Sequence, residues 1–174
     1  MPFTPFHFGP ALFFGLIFIA FLDFPTFVVA SVIVDLEPFM VIALGFSYPL
    51  HGFFHSLVGG TLVGFAVALV MFKMRHFTFR IMKFFKLGYV ASWKSVLTAS
   101  FLGVYLHIML DAPLYSDIKP FYPLDVNPLF SSSVAVSFYI YMFCFFSFLA
   151  SAILYLLRLV FQYRKNTKFE GNSV

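Results

Sequence analysis

Residues 51–94 read HGFFHSLVGGTLVGFAVALVMFKMRHFTFRIMKFFKLGYVASWK, and their two halves follow different rules. After the pair His51 and His55, the stretch from Ser56 to Phe72 carries no charge, and it reads as a helix of membrane grade. Gly59, Gly60 and Gly64 on this helix would let a neighbouring helix approach closely. From Lys73 to Lys94, cations at 73, 75, 80, 83, 86 and 94 interleave with Phe, Ile, Leu and Trp93. That alternation predicts a basic amphipathic segment lying on a membrane surface.

Composition extends the same reading to the whole chain. Of 174 residues, 61% are hydrophobic, 22% aromatic and 10% charged, with 29 phenylalanines, whereas a soluble domain carries about a quarter charged residues. The fold expected is all-α: a polytopic transmembrane helical bundle of about five helices, forming one integral-membrane domain over 1–174. Residues 1–113 bear the motifs and include the interfacial segment 73–94. A polar loop covers 114–130, the last transmembrane span 131–161 and a basic tail 162–174. The first apolar stretch, from Phe8, lacks a positive leader region and a separable cleavage site, so it is expected to be retained. Cys144 is the sole cysteine, which excludes an intrachain disulfide and a thiolate metal cluster. No basic and aromatic pattern of a nucleic-acid-binding module is present.

Two boundaries need argument. Phe8–Leu22 and Phe24–Val34 are each short for a hydrocarbon core of about 30 Å, so they form either one Pro25-kinked span or a hairpin turning at Asp23. The hairpin is favoured, because Asp followed by Pro starts helices and a mid-bilayer carboxylate is costly. Phe39–Phe46 is too short to span and reads as interfacial or re-entrant. Ser95–Asp111, ended by Ala-Pro113, and Ser131–Leu157 supply the remaining spans.

Ten of the eleven Lys and Arg residues lie in 73–94 or 158–168, and only Lys119 lies elsewhere. Positive charge flanks spans on the cytoplasmic side, so both segments and the C-terminus are expected there, in a multi-pass cell-membrane protein. That orientation sends His7, Asp35, Glu37, His51, His55, His107 and Asp111 to the opposite, non-cytoplasmic face. His51 with His55, and His107 with Asp111, are spaced i,i+4, one turn apart on a helix face, and each pair can grip one ion. Pro38 biases Glu37 out of helical geometry and so toward Asp35.

Four imidazoles and three carboxylates without thiolate suit one or two divalent ions, Zn²⁺ or Mn²⁺ foremost. Open positions on such ions permit hydrolytic chemistry, with Glu37 as a candidate general base. Each element also has a plainer account. A His at a membrane interface keeps its ring tip in water, His107 and Asp111 form a structural hydrogen-bonded pair, and Asp117 and Asp125 are solvated turn residues. Ser47, Tyr48, Ser56 and Lys119 are weaker candidates for substrate contact.

The motifs FTPFHFGPA, ASVIVDLEP, HGFFHSL and YLHIMLDAP, in that order over Pro2 to Pro113, resemble the YdjM-like group of inner-membrane metal-dependent hydrolases. The group has His-Arg-Gly-x-Thr-His-Ser where this chain has its third motif, HGFFHSL, so the histidines here stand one residue closer. The resemblance implies a metal site built from the seven residues above. With the charge-derived topology, the expected activity is hydrolysis of a lipid-linked or membrane-proximal ester or phosphoester, with membrane lipids as partners. Divalent-metal transport, or a metal-stabilised scaffold without turnover, is the alternative.

Overall fold

The computed structural model describes residues 5–89 and 91–171, with side chains as far as 164. Pro2, together with Phe3 and Thr4 of the first motif, and the side chains of Lys165 and Lys168 lie outside the described residues. Seven α-helices occur among the described residues: α1 (Phe8–Ile17), α2 (Phe24–Ile33), α3 (Leu36–Leu44), α4 (Leu57–Lys73), α5 (Arg75–Phe84), α6 (Trp93–Asp111) and α7 (Val134–Gly171). Single 3-10 turns precede α1, at Pro5–His7, and α4, at Phe53–His55.

The helix starts are written in short polar residues. Asp23 sits in extended geometry and accepts from the Thr26 backbone N–H at 3.0 Å, with Pro25 in the first turn of α2. Ser56 caps α4 through Gly59 N–H at 2.9 Å, and Ser92 caps α6 through Ser95 N–H at 3.0 Å. Gly45, at φ 65°, ends α3 in the left-handed conformation; its N–H and that of Phe46 return to the carbonyls of Ile42 and Val41.

α1 and α2 form the hairpin. Asp23 at its bend lies beside the start of α6, its N–H 3.4 Å from the Ser95 carbonyl, while both free ends, His7 and Asp35, meet the other end of α6. α6 is the central helix, packed between α2 and α4, and α1 packs against α7. The α2–α6 contact depends on Gly103: a Cβ there would fall 2.7 Å from the Phe27 carbonyl oxygen and 2.8 Å from Ala30 Cβ. Gly60 and Gly64 of α4 do face α6, against Ile108, Val104 and Phe101, as expected for close-contact positions, whereas Gly59 lies on the Phe53 carbonyl. Around these contacts Ala30, Val34, Ala68, Val96, Val104 and Ile108 make a buried apolar core.

Three helical stretches are long and apolar enough to cross a membrane: Phe24–Leu44, Trp93–Asp111 and Val134–Arg164. α4 with α5 makes a fourth if the pair counts as one broken span, bent by 75° at Met74. Mean hydropathy of +0.96 and the outward apolar side chains of α7 agree with a membrane protein. α5 is the core of the basic amphipathic segment. It buries Thr78 and Met82 while Phe77, Phe79, Arg80, Lys83 and Phe84 point outward.

Two local expectations change. Phe39–Phe46 is not a separate interfacial piece: α3 continues α2 after a turn at Val34–Asp35, and the two together give the 21-residue stretch Phe24–Leu44. Pro38 does not expel Glu37 from the helix, because it falls in the first turn of α3, where a missing N–H costs no intrahelical bond.

Candidate metal centre

The C-terminal end of α6 brings His107 and Asp111 inward on one face, both buried. The α2–α3 junction supplies Asp35, and the 3-10 turn before α4 supplies His55, also buried. One ligand atom from each of Asp35, His55, His107 and Asp111 lies within 4.8 Å of all the others, a buried group able to hold a metal ion.

The distances inside this group test that fit. His107 Nε2 lies 3.4 Å from His55 Nε2, 3.3 Å from Asp111 Oδ2 and 3.6 Å from Asp35 Oδ1. Ligands about 2.05 Å from a tetrahedral ion are about 3.3 Å from one another, so the observed separations are those of tetrahedron edges. Tautomers sharpen the point. His107 Nδ1 is 2.8 Å from the Ser31 carbonyl oxygen, which can only accept, so Nδ1 carries the proton and neutral His107 turns a lone pair inward from Nε2. His55 Nδ1 is 2.8 Å from Glu37 Oε2, which by the same reasoning turns the His55 Nε2 lone pair toward that of His107. Two lone pairs and two carboxylates around one buried point form a donor set that a cation or a proton would stabilise. An outer N–H held by a carbonyl or carboxylate is how protein metal sites orient imidazole ligands.

The other sequence-predicted residues surround this group. Glu37 stands behind His55 and also accepts from the backbone N–H groups of Gly52 (3.1 Å) and Phe54 (3.2 Å), so its carboxylate positions the 52–55 turn. His7 Nε2 lies 3.1 Å from Asp111 Oδ1, the oxygen that His107 does not approach; its Nδ1 is buried and unpartnered, and its ring tilts over His107 at 4.2 Å. His51 abuts His55 edge-on at 4.8 Å between ring centroids. The two do not share a helix face. Residues 45–56 form an irregular return, Gly52 has φ −94° and ψ −137°, and α4 begins only at Leu57, so loop packing rather than helical spacing places His51.

Asp117 is the residue the sequence reading set aside as a turn carboxylate. Its two oxygens lie 3.0 and 3.1 Å from His51 Nδ1, and it also accepts from the His51 backbone N–H. Burial would raise the Asp117 carboxyl, but the His51 backbone N–H and ring outweigh it and hold the group below the ordinary carboxylate value. Burial, with His55 adding to it, pushes the His51 ring below its ordinary value in spite of Asp117. Tyr115 stacks on the same ring at 4.2 Å. A lone Asp in a Pro-rich loop, 66 residues from its partner, carried no local signal of this pairing.

Beside His51 opens a cavity of about 370 Å³ whose lining includes Tyr48, Phe53, Ser56, Asp117, Lys119 and Tyr122. Three of the weaker substrate-contact candidates, Tyr48, Ser56 and Lys119, are therefore on its wall, and Ser47 is not. No protein-family model, curated protein or solved structure matches the chain.

Proposed function

We propose that this chain is a membrane-embedded, metal-dependent hydrolase acting on a lipid-linked or membrane-proximal ester or phosphoester. The observation that carries the reading is the convergence of Asp35, His55, His107 and Asp111 within 4.8 Å of one another, with His107 Nε2 at tetrahedral-edge distances from the other three, beside a cavity large enough for a ligand. The imidazole and carboxylate donor set suits Zn²⁺ or Mn²⁺. A divalent ion there would supply Lewis acidity and an activated water. The protein's part is to hold the two imidazoles through Ser31 and Glu37, to fix Asp111 from its far side through His7, and to close the site under residues 45–56 and 114–130. Glu37 spends its carboxylate on His55 and two backbone N–H groups, so we assign it a positioning role rather than that of general base.

Positive charge in 73–94 and in the tail supports a site on the non-cytoplasmic side. The four motifs resembling the YdjM-like group agree with the reading. Metal transport ranks second. A carrier needs ligands that continue toward the opposite face, and the buried hydroxyls there are turned onto their own surroundings: Ser31 onto the Val28 carbonyl, Ser100 onto that of Gly64, and Thr26 onto Asp23.

Elemental analysis of the purified protein tests the centre. Wild type should retain about one to two equivalents of a transition metal, and His55→Ala and Asp111→Ala should lose it. Wild type without specifically bound metal would sink the reading. Metal-dependent release of product from an ester or phosphoester in protein-containing vesicles separates turnover from a scaffold role.

A further inference from the structure

The cavity beside His51 combines features that together select a ligand. Phe53 and Tyr122 meet edge to face, their centroids 5.5 Å apart at 85°. Tyr48 is fixed as a third ring on the wall because its hydroxyl oxygen accepts from the Phe53 backbone N–H at 3.0 Å. Aromatic walls of this kind bind alkylammonium groups through the negative faces of the rings. Two opposite charges, Asp117 and Lys119, line the same space. Lys119 holds the exposed Asp125 at 2.5 Å, a solvent-screened pair that a ligand phosphate can replace at little cost.

Net charge favours a ligand that brings its own cation. The metal group, its outer partner Glu37, the cavity's Asp117 and the Asp125 that pairs with Lys119 make five carboxylates, with Asp35 and Asp111 in the metal group, against the single lysine Lys119. One divalent ion leaves that region negative, which opposes a purely anionic ligand. Leu50, Phe54 and Phe121, each next in sequence to a residue of the lining, are exposed apolar side chains. Acyl chains suit such neighbours.

We propose that this cavity binds the zwitterionic headgroup of a phospholipid, the alkylammonium against Tyr48, Phe53 and Tyr122 and the phosphate within reach of Lys119. The inference deepens the hydrolase reading by naming its substrate class, and it rests on that reading only for turnover. Binding itself needs no metal.

Saturation-transfer NMR on the full chain in maltoside micelles, with chelator present, tests the ring wall alone. Choline should bind wild type, bind about tenfold more weakly to Tyr122→Leu, and be unaffected by Lys119→Met. Tyr122 is half exposed, so its replacement leaves the fold intact, and Tyr48→Leu serves as the second variant. Phosphocholine should bind more tightly than choline, with that increment lost in Lys119→Met. Glycerol phosphate should bind at least tenfold more weakly than phosphocholine, and dihexanoyl phosphatidylcholine more tightly than phosphocholine. Choline binding unchanged in both tyrosine variants, or glycerol phosphate binding as well as phosphocholine, overturns the zwitterion assignment. Phosphocholine binding as tightly as the lipid overturns the lipid source in favour of a free amine. Elemental analysis reads the metal separately, so loss of the metal reading and loss of this one give different results.

Discussion

His107 has both ring nitrogens committed, one to the Ser31 carbonyl and one to the centre, and its partner His55 repeats the arrangement with Glu37. Glu37→Gln should therefore keep the fold and weaken metal binding by about 10- to 100-fold, because an amide can still accept from Nδ1–H but adds no charge. Competition with a chelator of known affinity measures this, and unchanged affinity would leave Glu37 without a positioning role. At the outer wall, Asp117 is held below its ordinary value when folded. Its contribution is full above the unfolded carboxylate pKa of about 4 and is lost as pH falls through the lower folded value. Exchange of the His51 backbone N–H, taken relative to its intrinsic rate at each pH, should speed up in that acid window, and Asp117→Asn should show the raised ratio already at pH 6. A ratio independent of pH in wild type would refute the pairing.

At the scale of elements, the distance between α2 and α6 is set at Gly103, whose missing Cβ lets the Phe27 carbonyl, Ala30 and the Ser31 backbone come close. Gly103→Ala should cost about 1–3 kcal/mol of stability as the helices separate. It should also lower metal occupancy, since the Ser31 carbonyl that orients His107 moves with α2. Thermal unfolding and metal content measured on the same preparation check both, and a lower melting temperature with full occupancy would uncouple the contact from the centre. The elements also show what a sequence can carry. The hairpin, the α4 helix and the basic amphipathic segment were legible, because charge, Pro and apolar run length act locally. So were Asp35, His55, His107 and Asp111, each an ionisable group in or beside an apolar run. His51 was misplaced onto a helix because its i,i+4 spacing from His55 mimics one, while Gly52 and the Tyr48 ring leaning on it shape a return instead. Asp117 was illegible, since its meaning depends on a partner that only the fold brings near.

For the whole molecule, the 21-residue stretch Phe24–Leu44 puts Asp35 nine residues, about 14 Å, from its Leu44 end. The group thus gathers at the C-terminal end of α6, the start of α4 and the α2–α3 junction, while α3 carries the chain on past it. Opposite sidedness of the 114–130 loop and the basic amphipathic segment is testable directly. Cysteines at Ser116 and at the open, exposed Gly88 should react with an impermeant reagent from opposite sides of the membrane, the first from outside and the second only after permeabilisation. Reaction of both from one side would break the topology. The centre has one more consequence, for biogenesis. Asp35 and His55 leave the ribosome before the basic bend, but His107 and Asp111 arrive only with the last turns of α6. A nascent chain halted before Trp93 holds two of the four candidate ligands and lacks the helix against which α2 and α4 pack, so the group able to hold an ion is complete only after insertion of α6.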